Sequence, residues 1–169
     1  MILPGPGMYN VYSERINMVN YGIIGCGMMG HEHLKNIKLL DGTNISAIFE
    51  PNSGMAKSAL KLAPEASLVD NLEKLLEFPD LDCLVIASPN HCHLQQLFKI
   101  SEIRKLPILV EKPISNSLED AEKLIEYGNK INIPIATGYH RRHNPIIHDI
   151  KKKLQDGLIG DVVAMHGMF

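Results

Sequence analysis

An α/β fold built on a doubly wound parallel sheet is what this sequence predicts, and three observations predict it. Short apolar runs alternate with stretches of helical periodicity from Val19 to Thr137. The first run, Tyr21–Ile24, ends in Gly25-Cys26-Gly27-Met28-Met29-Gly30 and leads directly into a helical stretch. A later stretch, Leu81–Ala87, is apolar without alternation apart from Asp82, as in a parallel strand covered on both faces. Strict β–α alternation calls for right-handed crossovers and puts helices on both faces of the sheet.

Residues 1–18 are rich in Pro and Gly and then polar. They read as a leader, without the basic and apolar regions of a signal peptide. The next segment, 19–138, carries the sheet. Val19–Gly25 is its first strand and Met28–Leu40 its first helix, with Leu34, Ile37 and Leu40 at helical spacing. Asp41-Gly42 stops that helix, and Asn44–Phe49 is the second strand. A helix over Gly54–Ala63 ends before Pro64, and Ser67–Val69 is a short third strand. Asp70 then reads as the N-cap of a helix over Asn71–Glu77. Ser88-Pro89-Asn90 breaks the fourth strand, Leu81–Ala87, and His91–Lys105 reads as one long helix. The fifth strand, Pro107–Val110, runs into Glu111-Lys112-Pro113. Leu118–Asn132 is a helix with Leu124, Ile125 and Tyr127 on its apolar side, and Ile133–Thr137 is the sixth strand.

At Gly138 the rhythm changes. A polar connector reaches Pro145, and Ile146–Gln155 is a helix with Ile146, Ile147, Ile150 and Leu154 as its stripe. Asp156–Gly160 caps it, and Asp161–Phe169 reads as a strand. Residues 139–169 are thus a connector, a helix and one strand, the beginning of a second, α+β domain. Such a strand has unpaired edges, so it is expected to be poorly ordered, to fold back, or to pair with a second copy in a homo-oligomer.

The composition narrows the function. With 169 residues, 45% apolar and 21% charged, the chain has enough apolar content for a core, and a net charge of −2 gives no pull towards nucleic acid or an anionic membrane. No apolar run approaches the roughly 20 residues that span a bilayer. Cysteines at 26, 83 and 92 are odd in number and scattered, which is no disulfide framework. A cytoplasmic location is the expectation.

Each glycine of the turn has a mechanical role. Gly25 permits the tight turn, Gly27 lets a pyrophosphate approach the backbone, and Gly30 allows helix and strand to pack closely. The helix start at Met28-Met29 offers free N–H groups and about half a positive charge. Glu50 closes the second strand, where an acidic side chain accepts hydrogen bonds from an adenosine ribose. Such a carboxylate also bears on cofactor choice. Placed about 4 Å from a 2′-phosphate it would cost roughly 1–4 kcal/mol, which favours NAD over NADP unless a cation such as Lys57 offsets it.

These residues, in order, resemble the Gfo/Idh/MocA oxidoreductase family: GCGMMG after a strand, Glu50, Ser88-Pro89-Asn90 with His93, Glu111-Lys112-Pro113, Arg141-Arg142 with Pro145, and Gly157 with Gly160. The Glu-Lys-Pro triplet is the most specific of them. The resemblance implies a Rossmann domain and an NAD(P)-dependent enzyme that oxidises or reduces a hydroxyl or carbonyl, commonly on a sugar or cyclitol. It also implies a second domain with an open sheet that carries a His/Asp acid–base pair. That pair has no counterpart before Phe169, so the sequence reads as an N-terminal half.

On the resemblance, Lys112 is the catalytic candidate, an ammonium at the end of the fifth strand that stabilises a developing alkoxide. Read without it, Glu111 and Lys112 are a surface ion pair before a turn proline; with it, Glu111 joins the cofactor site and a cis Lys112–Pro113 bond becomes more expected. Ser88 and Asn90 lie at the same sheet edge. Asn90 can offer its amide to the cofactor or cap the next helix, and the two roles are compatible. His93 lines the cleft or packs beneath it. His91, Cys92 and His93 point about 100° apart in a helix and do not converge on a metal, and His31 and His33 fail the same test. His31 is placed near the phosphates. Cys26 reads as a small residue that fits the turn rather than an activated thiol. Arg142, with Arg141, either reaches the cleft or is a linker charge.

Two other functions compete. A non-catalytic dinucleotide-binding module would need only the glycine turn and Glu50. A methyltransferase would use that turn for S-adenosylmethionine, but does not explain Glu111-Lys112-Pro113.

Overall fold

The computed structural model describes residues 18–167; the expected leader, apart from Met18, lies outside them. The described residues form two units, one up to Thr137 and one from Gly138. In the first, strands β1 (Val19–Ile24), β2 (Thr43–Phe49), β3 (Ser67–Val69), β4 (Cys83–Ile86), β5 (Ile108–Val110) and β6 (Ile135–Thr137) form one sheet in the order β3-β2-β1-β4-β5-β6. Every neighbouring pair is parallel. The order reverses direction between β1 and β4, which opens a crevice at the carboxyl ends of these two strands, the position where ligands bind in open α/β sheets.

The helices are α1 (Met28–Lys38), α2 (Ser53–Leu62), α3 (Leu72–Leu76), α4 (His93–Ile103) and α5 (Leu118–Ile131). Leu34 and Ile37 of α1 and Ala59 of α2 bury one sheet face with Ile23, Ile45, Ile48 and Val85. Leu72, Leu75 and Leu76 of α3, Leu97 and Ile100 of α4 and Leu124 of α5 bury the other with Ile24, Leu84, Ile86 and Val110. Burying one such aliphatic side chain stabilises the fold by about 1.5–3 kcal/mol, so these two layers are the main support of the sheet.

Several boundaries differ from the sequence reading, each for a local reason. Asn71, not Asp70, caps α3: its Oδ1 accepts from the Lys74 N–H at 2.8 Å, and Asp70 instead pairs with the Lys74 ammonium at 2.5 Å. The expected helix over His91–Lys105 is divided. A 3-10 turn over Asn90–Cys92 precedes α4, and Arg104 is already extended. Helix α1 stops at Lys38, so Leu40 is exposed rather than part of its buried face. In α5, Ile125 lies about 100° around from buried Leu124 and is 64% exposed.

The second unit holds a 3-10 turn over His140–His143 and helix α6 (Pro145–Gln155). Asn144 caps α6 by accepting from the Ile146 N–H at 2.9 Å. Its end is a left-handed Gly157: the Leu158 N–H donates to Lys153 O and the Gly157 N–H to Leu154 O, both at 3.1 Å. The intended stripe residues Ile146, Ile147 and Ile150 are exposed. Residues 161–167 form no ladder, contrary to the expected strand, since a strand exists only by pairing and none of the described residues pairs with them; 168 and 169 lie outside the described residues. Among the described residues no helix is long and apolar enough to cross a membrane.

Candidate functional site

Three backbone hydrogen bonds align the strand ends at one sheet edge. The Gly25 N–H donates to Phe49 O at 2.9 Å, Ala87 to Ile24 O at 2.8 Å, and Glu111 to Ile86 O at 2.8 Å. The glycine turn, Glu50, Ser88 and Glu111 therefore follow consecutive neighbouring strands.

The glycines differ physically. Gly25 has φ +87°, and a Cβ there would lie 2.6 Å from the Ser88 backbone. At Gly30 a Cβ would lie 2.3 Å from Gly25 O, so the helix is seated against the turn. At Gly27 a Cβ would meet nothing within 4 Å. Gly27 is the N-cap of α1 and no side chain caps that helix, so its first N–H groups have no side-chain acceptor. Met28, at the first helical position, is 80% exposed beside them, and Met29 is half-buried. An open concavity lined by donors is what a pyrophosphate requires.

Glu50 is fixed by the backbone. Oε2 accepts from the Cys26 N–H at 2.6 Å and Oε1 from the Asn52 N–H at 2.7 Å. A carboxylate has about four lone-pair sites, so each oxygen keeps one for a ribose hydroxyl. Glu50 also acts on Cys26. Burial first, then the Glu50 charge, pushes that thiol up to about 12, and burial with Asp82 pushes Cys83 up to about 11. The inert reading of Cys26 is the one the geometry supports. Both cysteines should resist iodoacetamide at pH 8 until the chain unfolds, as mass spectrometry of the alkylated protein would show. Unfolded cysteines ionise near 9 and these two later, so stability should also fall as pH rises from about 9 to 12. Rapid labelling of Cys26 in the folded chain would contradict this account.

Ser88 is half-buried and its hydroxyl donates to Gln96 Oε1 at 2.6 Å. Asn90 is exposed and its side chain caps neither the 3-10 turn nor α4, so the capping role is not realised. His31 lies in the first turn of α1, with Nδ1 3.0 Å from Gly27 O and Nε2 3.0 Å from Ser58 Oγ. Lys57 is exposed on α2.

Two expected cofactor contacts are corrected. His93 is fully buried, with Nδ1 2.8 Å from Pro113 O and Nε2 2.9 Å from Ser88 O. Its ring is therefore packed between two loops, beneath the cleft rather than lining it. Glu111 is 5% exposed and its carboxylate is already engaged, by His33 Nε2 at 2.8 Å and the Lys112 N–H at 3.3 Å. It pairs with His33 rather than with the Lys112 ammonium. The Lys112–Pro113 bond is cis, and Lys112 is exposed. Sequence reasoning missed His33 as a partner; its place one turn after Gly30, on the helix facing the β5 end, was the available signal. In the second unit, the Arg142 guanidinium lies 5.6 Å over the Tyr139 ring. Among the described residues no group of three or more His, Cys, Asp or Glu side chains is arranged to hold a metal.

Comparison with known proteins agrees with this fold. The pattern of the Gfo/Idh/MocA family, described as an oxidoreductase family with an NAD-binding Rossmann fold, matches residues 19–139. An inositol 2-dehydrogenase of Corynebacterium glutamicum (strain R) is 32% identical over 149 residues, which are 87% of this chain and 44% of that protein. A 2,7-anhydro-N-acetylneuraminate hydratase of Escherichia coli (strain K12) is 24% identical over 151 residues, 88% of this chain and 39% of the relative. The crystal structure of a Lactobacillus casei myo-inositol dehydrogenase in complex with NAD(H) and myo-inositol superposes with a TM-score of 0.76 at 27% identity, covering 85% of this chain and 43% of that one. The chain spans less than half the length of each of these proteins.

Proposed function

The chain belongs to the Gfo/Idh/MocA oxidoreductase family, and from that membership we propose that it is the cofactor-binding part of an NAD-dependent oxidoreductase acting on a hydroxyl or carbonyl of a cyclitol- or sugar-like substrate. The observation that carries this reading is the protein-free space at Gly27, bounded by a backbone-held Glu50 and sharing one sheet edge with Lys112. In this reading Gly25, Gly27, Met28, Met29 and Gly30 receive the pyrophosphate, Glu50 takes the adenosine ribose, and Ser88 and Asn90 border the path beyond. Arg142 keeps a cofactor role on the resemblance alone. Bound there, the nicotinamide supplies the hydride chemistry. Lys112 holds the substrate oxygen through an N–H donor and stabilises negative charge on it. The relatives named above act on an inositol and on a sugar-acid derivative, both polyhydroxylated rings, which supports that substrate class.

Calorimetric titration with NADH and NADPH tests the reading. NADH should bind at micromolar concentrations and more tightly than NADPH. Glu50→Ala removes charge-assisted hydrogen bonds of about 1.5–3 kcal/mol, so NADH affinity should fall roughly 10- to 100-fold. Absence of binding to either nucleotide would overturn it.

A further inference from the structure

We propose that His33 is a positioning residue for Lys112, acting through Glu111. The proposal rests on the reading of Lys112 as the substrate-facing group. His33 stands on α1, the helix that begins at the glycine turn, and its Nε2–H donates across to Glu111 Oε1 at 2.8 Å. The second oxygen of the same carboxylate accepts from the Lys112 backbone N–H at 3.3 Å. One buried carboxylate thus ties the backbone of Lys112 to α1. On the other side of Lys112, the His93 ring of α4 stands between two carbonyl oxygens, with Nδ1 2.8 Å from Pro113 O and Nε2 2.9 Å from Ser88 O. Helices α1 and α4 cover opposite faces of the sheet, so the turn is held from both. Within it Glu111 is buried, while the exposed Lys112 ammonium makes no ion pair among the described residues and is left for a ligand.

This arrangement gives His33 a task distinct from packing. Gly30 and His33 are one helical turn apart, so the element that receives the pyrophosphate also sets where the Lys112 backbone stands. A supporting group of this kind fixes geometry without touching the ligand.

The test is trace acetylation of the whole chain, with mass spectrometry reporting Lys112 relative to the exposed Lys57 and Lys105. His33→Phe fills the ring volume without a donor, and His33→Gln restores an N–H within reach of Glu111. Lys112 labelling should change about three- to tenfold in His33→Phe, the range one net hydrogen bond supplies, and return to the parental ratio in His33→Gln. NADH affinity should stay within about threefold in both, because the glycine turn and Glu50 are untouched. Should His33→Phe not fold, His33→Ala takes its place. An unchanged Lys112 ratio, or one that His33→Gln fails to restore, overturns the proposal. The labelling needs no nucleotide, so failure of the parent chain to bind NADH would count against the proposed function and not against this link.

Discussion

Alanine at Gly25 is expected to destabilise the fold by about 2–4 kcal/mol and at Gly30 by about 2–3 kcal/mol, from overpacking against backbone and, at Gly25, a strained φ. Alanine at Gly27 should cost less than about 1 kcal/mol, the scale of an N-cap change. The contrast follows from what each Cβ meets. A Cβ at Gly25 would stand 2.6–2.8 Å from Ser88 and Ala87 backbone atoms, and one at Gly30 would stand 2.3 Å from Gly25 O. These are backbone atoms locked into the ladder by the Gly25-to-Phe49 and Ala87-to-Ile24 hydrogen bonds, so no side chain can swing aside. At Gly27 the methyl group enters empty space, which is the space assigned to the pyrophosphate. Gly27→Ala should therefore melt in urea close to the parent and still lose most of its NADH affinity. A Gly27→Ala chain that binds NADH as the parent does would remove the pyrophosphate from that position, whatever Gly25 and Gly30 showed.

The same contrast explains what could be read in the sequence. Gly25 and Gly30 are informative because backbone geometry restricts which residue each place accepts, and β1, β2, β4 and β5 were legible because their buried residues make short apolar runs. Polar residues are different. Whether Glu111 faces a ligand or a neighbour depends on what α1 carries opposite the end of β5, and His33 is 78 positions away. His93 could be placed at the cleft but not assigned to solvent or core, since either suits a histidine. Helix faces failed where tertiary cover decides them: Leu124 is buried and Ile125 exposed, although both were read onto one apolar side. Asp70 and Asn71 are both good caps, and only the turn geometry chooses between them. The strand expected at 161–169 was read as the first of a second domain, and local sequence cannot supply a ladder partner.

Arg104 is a further residue that composition could not single out, and its loss should be felt at the far edge of the sheet. Its guanidinium donates from Nη1 to Leu76 O at 3.3 Å and to Phe78 O, and from Nη2 to Pro79 O and Leu81 O, each at 2.9 Å. These carbonyls belong to the segment that leaves α3 and enters β4, so one planar cation closes the whole connection. Arg104→Ala would leave the carbonyls to water, and buried Leu81 would lose the constraint that seats it in the core. Hydrogen bonds to a charged donor contribute about 1.5–3 kcal/mol each when buried, but this loop is partly exposed, so the net cost should be about 2–3 kcal/mol. For a chain of this size that lowers the melting temperature by about 5–10 °C. Arg104→Lys should recover less than half of it, because an ammonium cannot present the rigid fork that spans four acceptors. NADH affinity should not change, since Leu81 precedes β4 while Ser88 and the candidate site follow it. A melting temperature unmoved by Arg104→Ala would show that the connection holds itself closed. Lost NADH binding in a variant that remains folded would instead show that the two ends of β4 are coupled.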